Sequence, residues 1–155
     1  MSESPTESIL QPMEVISFRV HEDEYCVNIM TVREIRGWSP ATRLPHAPEY
    51  VRGVINLRGA VLPIIDLANR LGFEMTEPNE RHVIIVAQIE GQLFGLLVDA
   101  VSDIMTVTQD DLQPTPNIGS ESARAFVKKV IAREEQMIRF IDLSQVMPQG
   151  LAQAA

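Results

Sequence analysis

The chain has 155 residues and is 45% hydrophobic, enough apolar material for one domain or two small lobes that share a core. Its net charge of −8 argues against broad electrostatic binding to nucleic acid or to an anionic membrane surface. The single cysteine, Cys26, excludes an intramolecular disulfide and a cysteine-rich metal site. The N-terminus lacks a secretory signal pattern, and no apolar stretch approaches the ~20 residues that span a bilayer. We therefore expect a cytoplasmic protein without direct membrane insertion.

The first residues are predicted to be a tail followed by a β-hairpin. Residues 1–13 are polar and interrupted by prolines, which is typical of a flexible terminus. Val15–Val20 and Tyr25–Ile29 are short, apolar and rich in β-branched and aromatic residues, with a polar turn between them. Met30–Ile35 fits either a helical turn or a bent strand, and residues 49–52 fit one helical turn.

A second hairpin is predicted in the middle of the first half. Val54–Leu57 and Val61–Ile65 are its strands, and Arg58-Gly59 form a tight turn in which Gly59 can supply a positive φ. Asp66 stands where its side chain would cap a short helix over Leu67–Leu71.

The second half follows a polar break at residues 74–81, the clearest boundary in the chain. It is predicted to hold two hairpins separated by a loop, and then a short terminal helix. The predicted elements are the strands His82–Ile89 and Gln92–Val101, the loop Asp110–Gly119, the strands Phe126–Ala132 and Met137–Asp142, and the helix Leu143–Met147.

The two halves align as an internal repeat. Tyr25 aligns with Phe94 at an offset of 69 residues, and Ile65-Asp66-Leu67 aligns with Ile141-Asp142-Leu143 at an offset of 76. The second copy thus carries about seven extra residues, which we place in its 110–125 loop. Each copy has about five short strands, a pattern typical of a small barrel.

The repeat predicts a mainly β protein of two lobes related by internal duplication. We expect lobe 1 over about residues 15–75, lobe 2 over about 80–147, and a flexible C-terminus over 149–155. Two barrels that bury their apolar faces against each other would obtain the core that each is too small to form alone.

No catalytic or metal-binding constellation stands out in the sequence. The three histidines, His21, His46 and His82, have no partner at metal-ligand spacing. Asp66 and Asp142 each precede a leucine at a strand end, where helix capping explains them. We therefore predict a protein that is not an enzyme and that needs no cofactor or metal.

Four strings in this order and spacing resemble the CheW family of bacterial chemotaxis coupling proteins. They are Val32–Gly37 (VREIRG), Val51–Gly59 (VRGVINLRG), Val61–Leu67 (VLPIIDL) and Val98–Ile104 (VDAVSDI). The resemblance covers about residues 14–147, and RGVINLRG is its most specific part.

The resemblance implies a CheW-like domain over 14–148, folded as two intertwined five-stranded SH3-like β-barrels with short helices. It also implies a non-catalytic adaptor or scaffold. Proteins of this family link the cytoplasmic tips of methyl-accepting chemoreceptors to the regulatory domain of the histidine kinase CheA. Such a protein would be recruited to receptor arrays at the inner face of the membrane.

The family also implies two sets of site residues. The receptor tip is expected in the groove between the lobes, where Val32, Val83 and Ile104 would form an apolar strip. Arg58 could donate hydrogen bonds to a receptor carboxylate, or hold Glu34 by an ion pair. The full receptor-binding set is Val32, Glu34, Asn56, Arg58, Gly59, Val83, Gly95 and Ile104, in which Gly59 and Gly95 would allow close backbone approach, and the kinase-binding candidates are Ile29, Ile35 and Leu44.

Two alternatives remain open from the sequence. The protein could serve a non-chemotactic receptor–kinase pathway, which has the same sequence features. It could also be a double barrel that binds a small molecule in the inter-lobe groove, although no motif supports this. Residues 117–124 match no family string, so contacts there stay unassigned.

Overall fold

The structure is a computed structural model that describes residues 12–115, 125–133 and 135–147. These residues form strands, two short α-helices and two single-turn 3-10 helices. The strands are β1 Met13–Val20, β2 Asp23–Asn28, β3 Val32–Gly37, β4 Val51–Leu57, β5 Ala60–Asp66, β6 Val83–Ile89, β7 Gln92–Val98, β8 Ala100–Val107, β9 Leu112–Pro114, β10 Val127–Arg133 and β11 Gln136–Ile141. The α-helices are α1 Leu67–Arg70 and α2 Leu143–Val146, and the 3-10 turns are Ile29–Thr31 and Gln109–Asp111.

The strands form two sheets that exchange hairpins between the halves of the chain. The five-stranded sheet has the order β3-β6-β7-β5-β4, so the β6–β7 hairpin of the second half lies among strands of the first. The six-stranded sheet has the order β8-β1-β2-β11-β10-β9, so the first hairpin lies among strands of the second half. The intertwining expected from the family is confirmed. The predicted lobes at 15–75 and 80–147 describe the repeated sequence units, and neither sheet is built from one unit alone.

The internal duplication extends to the register of the strands. The parallel pair Ile64 and Gly95 in one sheet corresponds, at the offsets of 76 and 69, to the parallel pair Phe140 and Cys26 in the other. The antiparallel pair Ile35 and Ile85 corresponds in the same way to Ile104 and Ile16. A register irregularity interrupts both equivalent pairs of strands at matching positions. We conclude that the two sheets have the same strand pairing, which the internal duplication repeats.

The largest buried cluster joins the two sheets. It contains Phe18, Tyr25 and Val27 from the six-stranded sheet together with Ile65, Phe94 and other residues from the five-stranded sheet. Each sheet also has its own smaller cluster, one around Leu62 and the other around Cys26. Burial of apolar surface therefore holds the two barrels together across a shared core.

The predicted strand Gln92–Val101 is divided in the structure at Asp99. β7 ends at Val98 and β8 begins at Ala100. The Asp99 amide donates to the carbonyl of Arg19 at 2.9 Å, and its carboxylate accepts from the amide of His21 at 3.0 Å. These contacts come from the β1–β2 turn, which is distant in sequence, so the local pattern did not show the break.

Two other predicted segments differ from the structure, and one ambiguity is resolved. Residues 49–52 are not a helical turn, because β4 already begins at Val51. The predicted loop Asp110–Gly119 begins with a 3-10 turn and with β9, which pairs with β10. Met30–Ile35 contains both candidate forms, since the 3-10 turn Ile29–Thr31 leads into β3. The predicted tails, apart from residues 12 and 13, and the 117–124 segment lie outside the described residues.

Candidate functional site

The predicted site residues Glu34 and Arg58 meet where the two ends of the five-stranded sheet approach each other. Glu34 lies on edge strand β3, and Arg58 lies in the turn that joins β4 to β5. Nη2 of Arg58 donates to Oε1 of Glu34 at 2.5 Å. The pair therefore connects the two ends of the sheet order, which brings β3 close to the β4–β5 hairpin.

The turn that presents Arg58 has the backbone that its sequence predicts. Arg58 has φ 52° and Gly59 has φ 90°, both in the left-handed region. Oδ1 of Asn56 accepts from the amide of Gly59 at 2.7 Å, which closes the turn. The hydrogen bond between Asn56 and Gly59 thus stabilises the turn, and the Arg58 side chain is 71% exposed.

The ion pair stabilises the charged form of both groups. The hydrogen bond from Arg58, supported by the charges of Arg58 and Arg36, holds the pKa of Glu34 below its usual range. The same hydrogen bond raises the pKa of Arg58. Arg36 lies 3.9 Å from the Glu34 carboxylate on the same strand. Near neutral pH this edge therefore presents one carboxylate between two guanidinium groups.

A shallow depression of about 490 Å³ adjoins the ion pair. Its lining includes Arg36, Asn56, Gly59 and Val61. Val61 is 72% exposed, an unusual state for a β-branched apolar side chain, and both polar and apolar residues line the depression beside it. The site thus offers charge, hydrogen-bonding groups and a small apolar surface together.

The three apolar receptor candidates differ in how they are presented. Val32 and Val83 are half-buried and pack against the shared core. Ile104 is 54% exposed on β8, an edge strand of the six-stranded sheet. Val32 lies on β3, the strand that also carries Glu34, whereas Ile104 lies on the other sheet. The apolar candidates are thus divided between the two sheets.

Gly95, another receptor candidate, is buried in the structure. The structure places it in the core of the five-stranded sheet, where a Cβ would lie 2.8 Å from both Ile64 Cδ1 and Ile84 Cγ2. Its lack of a side chain leaves space for these two isoleucines. Gly95 therefore has a packing role in the sheet, and its part in the receptor contact stays a prediction.

The three kinase candidates lie on the barrel of the five-stranded sheet or beside it. Ile29 begins the first 3-10 turn, Ile35 is exposed on β3, and Leu44 is half-buried in the loop that precedes β4. Met30 was missed by the sequence reasoning, although it is 78% exposed in the same 3-10 turn. Only the turn geometry reveals this exposure, because in an unbroken strand Met30 could equally face the core.

Asp66 and Asp142 are helix caps, as predicted. The carboxylate of Asp66 accepts from the amide of Asn69, and that of Asp142 accepts from the amide of Ser144. Within the described ranges, no group of three or more His, Cys, Asp or Glu residues is arranged to hold a metal ion.

No helix in the described part of the chain is long and apolar enough to cross a membrane.

Comparison with known proteins identifies the family. The family model "CheW-like domain" matches residues 14–150. A solved structure, the scaffolding protein TtCheW from Thermoanaerobacter tengcongensis, aligns with a TM-score of 0.78 at 32% identity, over 85% of this chain and 90% of that one. The fold is therefore that of a CheW-like protein, and the chain is a member of this family.

Two curated relatives support the same assignment. "Chemotaxis protein CheW" of Rhizobium meliloti (strain 1021) is 59% identical over 142 residues, 92% of each chain. The protein of the same description from Klebsiella aerogenes is 31% identical over 134 residues, 86% of this chain and 81% of the relative. The resemblance found in the four sequence strings is confirmed.

Proposed function

We propose that this protein is a chemotaxis adaptor that couples chemoreceptors to the histidine kinase CheA. One observation carries the proposal: a chain of the CheW-like family presents Arg58 on a hydrogen-bonded turn, paired with Glu34 of β3 and close to the exposed Val61. Charged groups on a firmly held turn are suited to recognising a partner surface. The names of the relatives, chemotaxis protein and scaffolding protein, agree with this role.

The receptor tip would bind near the Glu34–Arg58 pair. A helical receptor tip offers carboxylates to the exposed Arg58 and an apolar face to Val32, Val83 and Ile104. Because Arg58 is already paired with Glu34, a receptor carboxylate would share or replace this partner. The binding energy would then come from apolar contact, with the charges setting orientation.

The regulatory domain of CheA would bind a separate face. Ile29, Ile35 and Leu44, to which the structure adds Met30, are the candidate contacts on or beside the first barrel. Met30 and Ile35 are exposed, whereas Ile29 and Leu44 are half-buried, and exposed apolar side chains are typical anchors of protein interfaces. The adaptor would work without catalysis, in the cytoplasm, where receptor arrays recruit it to the inner face of the membrane.

Binding to the two partners, separately and together, tests the proposal. The partners are the CheA regulatory domain and a soluble receptor-tip fragment, each immobilised and titrated with the full chain. We expect binding to each fragment and a complex of all three when both are present. If the folded chain binds neither fragment, the proposal is wrong.

A further inference from the structure

Arg70 lies between two aromatic rings that belong to different barrels. Its guanidinium carbon is 4.1 Å from the centroid of the Tyr50 ring and 4.7 Å from that of Phe126. Tyr50 directly precedes β4 of the five-stranded sheet, and Phe126 directly precedes β10 of the six-stranded sheet. Both distances are within the range of cation–π attraction, so one cation contacts both barrels.

The same side chain also donates two hydrogen bonds to the second barrel. Its Nε donates to the carbonyl of Val146 at 3.2 Å, and its Nη2 donates to the carbonyl of Gln145 at 3.1 Å. These carbonyls lie at the end of α2, where a helix leaves acceptors without internal partners. Arg70 itself ends α1, which follows the five-stranded sheet. Three of its four contacts therefore reach the opposite barrel.

The internal duplication shows why Arg70 is unusual. At the offset of 76, Tyr50 corresponds to Phe126, and the backbone supports this, because their carbonyls accept from the equivalent amides of Asp66 and Asp142. At the same offset Arg70 corresponds to Val146, which is fully buried. Both copies thus have an aromatic residue at the equivalent position, but only the first copy has an arginine where the second has Val146. A single guanidinium lies between the equivalent rings, so the copies differ here.

We infer that Arg70 is a positioning residue that fixes the angle between the two barrels. This inference rests on the proposed function, because that angle sets the relative direction of the receptor and kinase faces. The apolar core holds the barrels together, but hydrophobic attraction is non-directional. The planar guanidinium adds direction, since it must lie between two rings and align with two carbonyls at once.

Distance measurement between the barrels tests this inference. Spin labels are attached at Val61→Cys in the five-stranded sheet and Met137→Cys in the six-stranded sheet, both well exposed. The native Cys26 stays in place, because it is fully buried and burial raises its pKa to about 12, which keeps it unreactive. Pulsed electron–electron double resonance then gives the distribution of distances between the two spin labels.

Two variants of Arg70 and a control make the measurement decisive. Arg70→Met keeps an unbranched, flexible side chain but removes the guanidinium and its directional contacts, so we expect a shifted or broadened distribution. Arg70→Lys keeps the charge without the planar fork, so we expect an intermediate width. The control is Arg139→Met, which removes a cation 5.6 Å from the Tyr25 ring and 3.6 Å from Asp23, both within the six-stranded sheet. Arg139→Met also removes a cation–π contact, but one that does not join the two barrels, so the distance distribution should stay unchanged.

Binding and kinase-activation measurements distinguish a failure of this inference from a failure of the proposed function. Arg70→Met should bind the receptor fragment and the kinase fragment separately as wild type does, but activate the kinase severalfold less in the three-component assembly. A merely structural role would lower the melting temperature and leave the inter-label distances of the folded protein unchanged. A folded Arg70→Met protein with the wild-type distance and width would overturn the inference. Failure of wild type to bind either fragment would instead sink the proposed function.

Discussion

The two Ile-Asp-Leu corners are equivalent in the duplication, yet their carboxylates have different surroundings. Asp66 is fully buried and accepts from the amide and hydroxyl of Thr76, at 2.7 and 2.8 Å, in addition to its capping bond. It also lies 3.8 Å from Nη1 of Arg52. The described partners of Asp142 are the amide and hydroxyl of Ser144, two residues away.

The difference shows how a duplicated residue can acquire a second task. Both aspartates cap the next helix, which is a local task that the repeat preserves. Asp66 additionally binds Thr76, ten residues further on, and so attaches the segment between the halves to the first corner. A comparison of the two sites therefore separates the effect of the cap from that of the long-range contact.

The largest expected effect comes from removing the two carboxylates in turn. Asp66→Ala leaves the Thr76 amide and the Arg52 guanidinium without their buried acceptor and should cost about 3 kcal/mol of unfolding free energy. Asp142→Ala loses mainly a cap and should cost about 1 kcal/mol. Urea denaturation of both variants measures the difference, and equal losses would contradict the comparison.

Gly95 and Cys26 are a second pair of equivalent positions, but the first has no room for a side chain whereas the second holds a buried one. Gly95→Ala forces a methyl group against Ile64 and Ile84 and should cost about 1–2 kcal/mol after the entropic gain of alanine. Cys26→Ala instead leaves space and should cost about 1 kcal/mol. Thermal denaturation compares them. If packing is the whole role of Gly95, the folded Gly95→Ala protein keeps its affinity for the receptor fragment, and a selective loss of that affinity would show that Gly95 also belongs to the interface.

The Arg58 turn is the most accessible charged part of the candidate site. Arg58→Glu places two carboxylates together and should weaken receptor or kinase binding by about tenfold, with little change in the denaturation midpoint. Arg81→Glu makes the same charge change at another exposed position and controls for net charge. Titration calorimetry with each fragment measures the effect. An unfolded Arg58→Glu protein would make Arg58 structural and the site assignment wrong.

The smallest effect concerns two carboxylates whose pKa values are lowered for different reasons. The pKa of Glu34 is lowered chiefly by its hydrogen bond with Arg58, whereas that of Asp111 is lowered chiefly by the backbone amide of Thr108, with Arg133 contributing less. Arg58→Ala should therefore raise the pKa of Glu34 clearly, while Arg133→Ala should raise that of Asp111 little. Carboxyl resonances followed by NMR across an acid titration measure both.

The sign of the accompanying stability change follows from linkage. A carboxylate whose pKa is lowered by folding stabilises the native state above its unfolded pKa, and this contribution is lost as the pH falls through the folded value. For Glu34 the loss begins below its ordinary value of 4.5. Wild type and Glu34→Gln should thus converge in stability at acid pH, and a constant difference would contradict the ion pair.

Local features of the fold were predictable from the sequence, whereas features created by distant strands were not. The Arg58-Gly59 turn and the Asp66 cap depend on neighbouring residues, so their residue types indicated them. The core position of Gly95 depends on Ile64 and Ile84, which other strands bring to it. The pattern of β7 likewise could not reveal that the β1–β2 turn interrupts it at Asp99.

The candidate site follows the same rule. The resemblance supplied the residues of the Glu34–Arg58 pair, but its geometry arises because β3 and the β4–β5 turn meet across the five-stranded sheet. The exposure of Met30 and the position of Arg70 between two rings depend equally on the folded arrangement. The sequence contains these residues without showing which distant groups they contact.

The exchanged hairpins also determine how the protein can be cut. A break in the polar segment at 74–81 would leave the first fragment without β6 and β7 and the second without β1 and β2. Neither piece would then hold a complete sheet, so the two would have to fold around each other to regain the native form. Because β2 of the first hairpin pairs with β11, the six-stranded sheet cannot form completely during synthesis until β11 has emerged. The repeated unit is thus a unit of sequence and of shape, but not of independent folding.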